Sequence, residues 1–221
     1  QTLGIVGPTG AGKSTLIRQL LREFNVTDGQ VYIDGSSIET YQIEAIRNLV
    51  GYVPQSHMLF KRSVEDNILI GNPQASHDAF DKAVKIADFQ KDLHYLQNDI
   101  QTMVGESGAT LSGGQKQRLS IARALIKDPE ILILDDSLSA VDAKTEDTII
   151  GHLKDFRKGK TNIIVAHRFS AVRDADLILV LENGKITQRG THDELLRVDG
   201  WYKHQYISQM TMKRSEEHTS E

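Results

Sequence analysis

Apolar positions along the chain fall into short continuous runs that are separated by turn residues and by amphipathic stretches. Four such runs lie at residues 2–6, 131–134, 162–166 and 177–181. Their length predicts strands rather than helices, and the near absence of polar residues from the second and third predicts strands covered on both faces. Residues 16–24 instead predict an amphipathic helix, because apolar side chains share one face at Leu16, Ile17, Leu20 and Leu21.

Two further patterns predict antiparallel elements. Residues 29–34 (GQVYID) alternate like an edge strand and end in the turn pair Asp34-Gly35. The run at 177–181 is followed by Asn183-Gly184 and then by residues 185–188, which predicts a hairpin near the C-terminus. The chain is therefore expected to be an α/β protein with a mainly parallel sheet and added antiparallel strands.

The pattern changes between residue 56 and about residue 111, where helical spacing replaces alternation. Three short helices are predicted there, at residues 64–69, 78–86 and 89–96. We interpret this stretch as a helical insertion into the α/β core.

Composition narrows the function without identifying it. The chain has 221 residues, a formal net charge of -4 and no cysteine, which excludes a disulfide scaffold and a cysteine-ligated zinc site and does not favour nucleic acid as a partner. No apolar stretch approaches the ~20 residues that span a bilayer. The chain opens directly on a strand, without an initiator methionine, and we expect it to be part of a longer protein.

A glycine-rich loop follows the first predicted strand and fits the pattern GxxxxGK[ST]. Its residues are Gly7, Pro8, Thr9, Gly10, Ala11, Gly12, Lys13, Ser14 and Thr15. Glycines let successive backbone N–H groups converge on an anion, and the helix that begins near Lys13 directs its positive end to the same point. Lys13 is expected to contact the β- and γ-phosphates of a nucleotide, and Ser14 to bind Mg²⁺.

A carboxylate at the end of a buried strand supports the same chemistry. The segment ILILD ends in Asp135, and such a residue facing a phosphate loop holds the magnesium ion through water in this kind of fold. Asp135 is therefore the second predicted metal residue.

The segment LSGGQ, formed by Leu111, Ser112, Gly113, Gly114 and Gln115, resembles the signature sequence of ATP-binding cassette (ABC) proteins. Together with the phosphate loop, it implies a P-loop NTPase fold with a RecA-like core and a parallel sheet. The resemblance implies one nucleotide-binding domain over residues 1–213, N-terminally truncated, with a helical subdomain at about 56–125. It also implies ATP and Mg²⁺ as cofactors.

Other segments match further motifs of the same family. Gln55, in VGYVPQ, matches the glutamine that senses Mg²⁺ and couples to the membrane domain. Ser139 and Asp142, in SAVD, match the D-loop, which contacts a partner subunit. His167, in IIVAHR, matches the switch histidine that contacts the γ-phosphate.

The segment MVGESG, centred on Glu106, resembles the loop with which exporters touch the coupling helices of their membrane domain. The resemblance implies a transport ATPase at the cytoplasmic face of the membrane, with a transmembrane domain fused upstream of Gln1 and a second cassette as partner. The sequence leaves two alternative functions open. One is a soluble cassette ATPase, and the other is a regulatory nucleotide-binding module with little hydrolysis.

Two departures from the family pattern stand out. The aromatic residue that stacks on adenine is expected roughly two dozen positions upstream of the loop, where this chain has no residues, and Tyr32 and Tyr41 are not assumed to replace it. The residue after Asp135 is normally glutamate, the catalytic base, but here it is Asp136. A weakened base beside an intact LSGGQ implies the degenerate-site half of a heterodimeric multidrug exporter, unless backbone adjustment or a second water lets Asp136 act.

The last eight residues, 214–221 (RSEEHTSE), form a polar tail without hydrophobic periodicity. They match a translation of a common sequencing adapter. We therefore expect a non-native or disordered tail without function.

Overall fold

A computed structural model of the chain describes residues 1–106 and 110–219, with side chains described as far as residue 212. The strands are β1 (Thr2–Val6), β2 (Tyr32–Ile33), β3 (Ser36–Ser37), β4 (Val50–Val53), β5 (Arg62–Ser63), β6 (Met103–Val104), β7 (Ile131–Asp135), β8 (Thr161–Val165), β9 (Leu177–Glu182) and β10 (Lys185–Gly190). The α-helices are α1 (Lys13–Leu20), α2 (Ile43–Leu49), α3 (Val64–Leu69), α4 (His77–Ile86), α5 (Gln90–Leu93), α6 (Gly113–Leu125), α7 (Ala143–Phe156), α8 (His192–Arg197) and α9 (Trp201–Thr219). Three short 3₁₀ turns lie at Ile38–Thr40, Asp99–Gln101 and Phe169–Ala171.

One six-stranded sheet organises the fold, in the order β10-β9-β1-β8-β7-β4. All neighbouring strands in it are parallel except β10, which runs antiparallel to β9. Two separate ladders, β2 with β3 and β5 with β6, are antiparallel. The predicted α/β class, with a parallel sheet and antiparallel additions, is confirmed.

The central strands are covered on both faces, as their apolar sequences predict. In β7, Leu132 and Leu134 point into one core cluster, whereas Ile133 points into the other. Because side chains alternate along a strand, each run of consecutive apolar residues supplies both layers. The second cluster is closed by α1 and α2, through Ile17 and Ile46.

Helices α3 and α4 each pack against α6, and α6 also packs on β4 and β7. All three predicted short helices are present, although the third is only the single turn α5. The division into a core and a helical subdomain at 56–125 stays a prediction. So does the non-native origin of residues 214–221, whose backbone belongs to α9 as far as Thr219.

Two predicted elements have different bounds in the structure. Helix α1 begins at Lys13 and ends at Leu20, because Arg22 adopts a left-handed conformation with φ 53°. The N–H of Glu23 then bonds to the carbonyl of Arg18, which closes a Schellman-type end without glycine. The predicted strand at 29–34 shortens to Tyr32–Ile33, since Asp34 and Gly35 both turn with positive φ.

A buried ion pair fixes the start of α6. Asp92 of α5 accepts hydrogen bonds from Arg118 and, at 3.2 Å, from the side-chain amide of Gln115. Arg118 also donates to the carbonyls of Asp88 and Gly114. Asp92 and Arg118 are each only 7% exposed, so each charge depends on the other for compensation.

Replacing Asp92→Asn should therefore lower the free energy of unfolding by about 3–5 kcal/mol, because Arg118 would remain buried without a counter-charge. Urea unfolding followed by circular dichroism measures the change. Asp81→Asn is the matched control, since Asp81 pairs with His77 at the surface and has a side chain that is 64% exposed. Equal losses in the two variants would show that the buried pair contributes nothing particular.

Candidate functional site

The glycine-rich loop joins β1 to α1 and leaves no room for side chains at its start. A Cβ atom on Gly7 would lie 2.1 Å from the carbonyl oxygen of Leu181. Gly12 is the N-cap of α1 and has φ 101°, a conformation that residues with a Cβ rarely adopt. The backbone N–H groups at the first turn of α1 therefore face the loop, in the arrangement that binds anions.

Lys13 lies across this loop. Its Nζ donates to the carbonyl of Gly7 at 2.8 Å and to that of Pro8 at 3.0 Å. Burial lowers the pKa of Lys13, although the carboxylates of Asp136 and Asp135 act in the opposite direction. The side chain is thus held at the loop by two acceptors, with its remaining donor available to an anion.

Asp135 ends β7 directly beside the loop. Its Oδ1 accepts from the hydroxyl of Ser14 at 3.4 Å, and its Oδ2 accepts from the hydroxyl of Tyr52 at 3.3 Å. Burial and the nearby Asp135 raise the pKa of Tyr52 to about 12, so Tyr52 remains a donor. The sequence pattern did not identify Tyr52.

Asp136, Gln55 and His167 complete the cavity. The Nε2 of Gln55 lies 3.4 Å from Oδ2 of Asp136, and the backbone N–H of Asp136 donates to the carbonyl of Val165. Asp136 has φ 52°, which aspartate tolerates better than most residues. Burial raises the pKa of Asp136, and the nearby His167 partly opposes this shift.

These groups share one cavity of about 270 Å³. Its lining residues are Thr9, Gly10, Ala11, Gly12, Lys13, Ser14, Thr15, Gln55, Asp135, Asp136, Val165 and His167. The structure thus brings residues of the phosphate loop together with Gln55, Asp135, Asp136 and His167, all of which were predicted from the sequence.

The LSGGQ residues do not line that cavity. Ser112 caps α6 in a capping box with Gln115, and Ser112 and Gly113 are exposed. A Cβ atom on Gly114 would lie 3.0 Å from the carbonyl oxygen of Ala140, so the glycine pair packs closely against the segment 139–142.

Gln117 joins α6 to the same segment. The sequence pattern did not identify this residue. Its Nε2 donates to the hydroxyl of Ser139 at 3.0 Å, and its Oε1 accepts from the backbone N–H of Ala140 at 2.8 Å. At the end of the segment, Asp142 caps α7 by accepting from the backbone N–H of Thr145, a hydrogen bond that lowers the pKa of Asp142.

Arg168 links the loop after β8 to Leu138, next to segment 139–142, and to Val141 within that segment. Its guanidinium donates to the carbonyls of Leu138 and Val141 and lies 2.9 Å from Oε2 of Glu146. Glu146 is 1% exposed, and burial raises the pKa of its carboxyl. This contact was not predicted.

Glu106 is exposed in the turn after β6. The remaining two residues of MVGESG, Ser107 and Gly108, lie outside the described part of the chain. Over residues 1–106 and 110–219, no helix is both long and apolar enough to cross a membrane.

Comparison with known proteins gives consistent matches. A family model described as ABC transporter matches residues 1–139. The chain is 53% identical over 216 residues to the "Probable multidrug resistance ABC transporter ATP-binding/permease protein YheI" of Bacillus subtilis, covering 98% of this chain and 37% of the relative. It is 44% identical over 206 residues to the "Multidrug resistance-like ATP-binding protein MdlA" of Escherichia coli, covering 93% of this chain and 35% of the relative.

Among solved structures, a bacterial Atm1-family ABC exporter with ATP bound superimposes with a TM-score of 0.90 at 40% sequence identity. The match covers 94% of this chain and 37% of that chain. The chain therefore spans only about a third of the length of the proteins that it resembles.

The raised pKa of Asp136 predicts a pH-dependent gain in stability for Asp136→Asn. The folded, nucleotide-free chain binds the Asp136 proton more tightly than the unfolded chain, so ionisation of this carboxyl destabilises the fold as pH rises. The variant should be more stable than the parent at pH 7. The difference should vanish below the ordinary aspartate pKa, where both states of the parent are protonated.

Urea unfolding at pH 7 and at the lowest pH where the chain stays folded measures this difference. Asparagine has the same shape and tolerates the left-handed backbone of residue 136. The exposed Asp81→Asn serves as control and should change stability by less than about 0.5 kcal/mol at either pH. A gain that persists unchanged at low pH would contradict the prediction.

Proposed function

Because this chain belongs to the ABC transporter family, we propose that it is the ATPase domain of an exporter and couples ATP binding and hydrolysis to efflux. The main support for this proposal is one cavity, which is lined by Lys13, Ser14, Asp135, Asp136 and His167. This arrangement supports a phosphate-transfer site at one edge of the sheet. The Bacillus relative is named a transporter and the solved structure an exporter, which favours transport over a soluble cassette ATPase.

Each residue type suits one part of the reaction. The backbone N–H groups of the loop from Gly7 to Thr15 bind the phosphates, and Lys13 adds a positive charge at their outer end. Asp136 orients the attacking water and accepts its proton, while His167 contacts the γ-phosphate. Both side chains line the cavity, which supports these two roles.

The donor set also fits Mg²⁺. Magnesium prefers oxygen ligands and keeps several waters, so one or two protein oxygens together with phosphate oxygens complete its shell. The hydroxyl of Ser14 and the carboxylate of Asp135 lie 3.4 Å apart, and Gln55 supplies an amide oxygen at the same cavity. When bound, the ion would neutralise charge on the β- and γ-phosphates.

The cavity is only half of the proposed site. Ser112, Gly113, Gly114 and Gln115 lie away from it, with the first two exposed. We propose that these residues close on the phosphate loop of a second cassette, whose own signature closes on this chain's ATP. Ser139 and Asp142, exposed on the adjoining segment, are the proposed contacts with that partner.

The membrane part of the transporter is proposed from the relatives. The Bacillus relative is named an ATP-binding/permease protein, and this chain corresponds to 37% of it. We propose a transmembrane domain in the same polypeptide, upstream of Gln1, with the cassette at the cytoplasmic face. Glu106, exposed after β6, is the proposed contact with the membrane domain.

Asp136 supports an asymmetric pair. Aspartate is one methylene shorter than glutamate, which withdraws the carboxylate by roughly 1–1.5 Å, and misplacement by about 1 Å can lower a rate about 100-fold. In the structure, Oδ2 of Asp136 accepts from the side-chain amide of Gln55 at 3.4 Å, which leaves less of the carboxylate free to accept a proton from water. We propose that this chain holds ATP and lends its signature to a more active site on a heterodimer partner.

Lys13→Met should weaken ATP binding to the intact transporter about 10- to 100-fold. The charged hydrogen bonds of an ammonium contribute roughly 1.5–3 kcal/mol, and each 1.4 kcal/mol is a factor of ten. Competition against a fluorescent nucleotide measures the affinity. Lys82→Met, at an exposed position of α4, is the control and should bind as the parent does. Unchanged ATP affinity in Lys13→Met would contradict the proposed function.

The asymmetric pair predicts unequal effects of two substitutions on ATP turnover by the intact transporter. Asp136→Glu should raise turnover, because the longer side chain reaches the attacking water. Asp136→Asn should lower it by less than about twofold, because most turnover would occur at the partner's site, and a twofold change is only about 0.4 kcal/mol. If Asp136→Asn abolishes turnover as fully as loss of the partner's catalytic glutamate, the asymmetric arrangement is wrong.

A further inference from the structure

The C-terminal helix contacts the backbone on both sides of Arg168. Gln209 of α9 donates from Nε2 to the carbonyl of His167 at 2.7 Å. Its Oε1 accepts from the backbone N–H of Phe169 at 3.4 Å. One side-chain amide thus bridges the residue before and the residue after Arg168, across 42 positions of sequence.

The side chain of Phe169 is anchored in the same helix. Phe169 is 1% exposed and meets the ring of Tyr202 edge-on, with centroids 4.7 Å apart. Trp201 and Tyr206 lie with centroids 6.0 Å from it. These aromatic contacts fix α9 against the loop after β8, so Gln209 has a rigid base from which to bond.

The side chain of His167 is exposed at the cavity wall. The peptide unit is planar, so a bond to the carbonyl of His167 fixes the peptide plane after its Cα and restrains ψ of the residue from which the side chain projects. The side chain of Arg168 anchors the loop on the side of segment 139–142, whereas Gln209 anchors it on the side of α9.

We propose that Gln209 is a positioning residue for His167, through which α9 sets the contact of His167 with the γ-phosphate. The proposal rests on the proposed function, because it assigns that contact to His167. It predicts that loss of the amide affects nucleotides with a γ-phosphate more than nucleotides without one. A general loss of structure would weaken both kinds of nucleotide equally.

Gln209→Met tests this in the intact transporter. Methionine keeps the length and most of the volume of glutamine but cannot bond to the loop. Gln205→Met is the matched control, one helical turn earlier at an exposed position. The measurement is competition of a non-hydrolysable ATP analogue and of ADP against a fluorescent nucleotide.

In Gln209→Met, the affinity for the ATP analogue should fall about 3- to 10-fold, the range of one hydrogen bond, while the affinity for ADP changes less than twofold. Gln209→Glu keeps the acceptor for Phe169 but loses the donor to His167, so it should shift the same ratio. Hydrogen exchange at the Phe169 amide should accelerate in Gln209→Met and stay slow in Gln209→Glu. Gln205→Met should match the parent in every measurement.

An unchanged ratio of ATP-analogue to ADP affinity in Gln209→Met, or an equal loss of both, would overturn the positioning role. That outcome is distinct from failure of the proposed function, in which Lys13→Met would leave the affinity for both nucleotides unchanged. His167→Ala gives the reference size of the effect, and Gln209→Met should not exceed it.

Discussion

The register of three parallel strands is the constraint on which the site depends. Val165 of β8 lies opposite Ile5 of β1 on one side and opposite Asp135 of β7 on the other. The three strands therefore end at the same level, and the segments that follow them enter one space. A slip of one residue between neighbours would turn every apolar side chain of that strand to the other face, so packing of both layers enforces the alignment. The chemistry of the cavity is thus secured by the apolar core.

That alignment creates an electrostatic requirement. Two carboxylates, Asp135 and Asp136, face one ammonium, that of Lys13, and burial raises the pKa of Asp136 and lowers that of Lys13. Adding the phosphates of ATP would add several negative charges to a cavity that already holds two acids. A divalent cation between Ser14, Asp135 and the phosphates is the compensation that this geometry favours. The proposed role of Mg²⁺ therefore follows from charge balance as well as from ligand type.

The extent to which the sequence predicted the site reflects how local each interaction is. Gly7 to Thr15 could be recognised because one short segment contains both the turn and the helix start. Tyr52 could not, because its bond to Asp135 joins positions 83 residues apart and a tyrosine in a strand has many uses. The left-handed end of α1 at Arg22 was equally hidden, since a helix that ends without glycine carries no residue-type signal. Gln117 and Gln209 bond to residues 22 and 42 positions away in the sequence, so only the packed structure identifies their partners.

The two surfaces proposed to meet a second cassette are joined within this chain. A Cβ atom on Gly114 would lie 3.0 Å from the carbonyl oxygen of Ala140, so α6 packs closely on segment 139–142, and Gln117 bonds to both Ser139 and Ala140. Arg168, next to His167, bonds to the carbonyls of Leu138 and Val141. A displacement of the signature by a partner would therefore reach His167 through packed atoms and hydrogen bonds. In the proposed asymmetric pair, such coupling would let ATP held at this cavity fix the geometry of the signature that the chain presents to its partner.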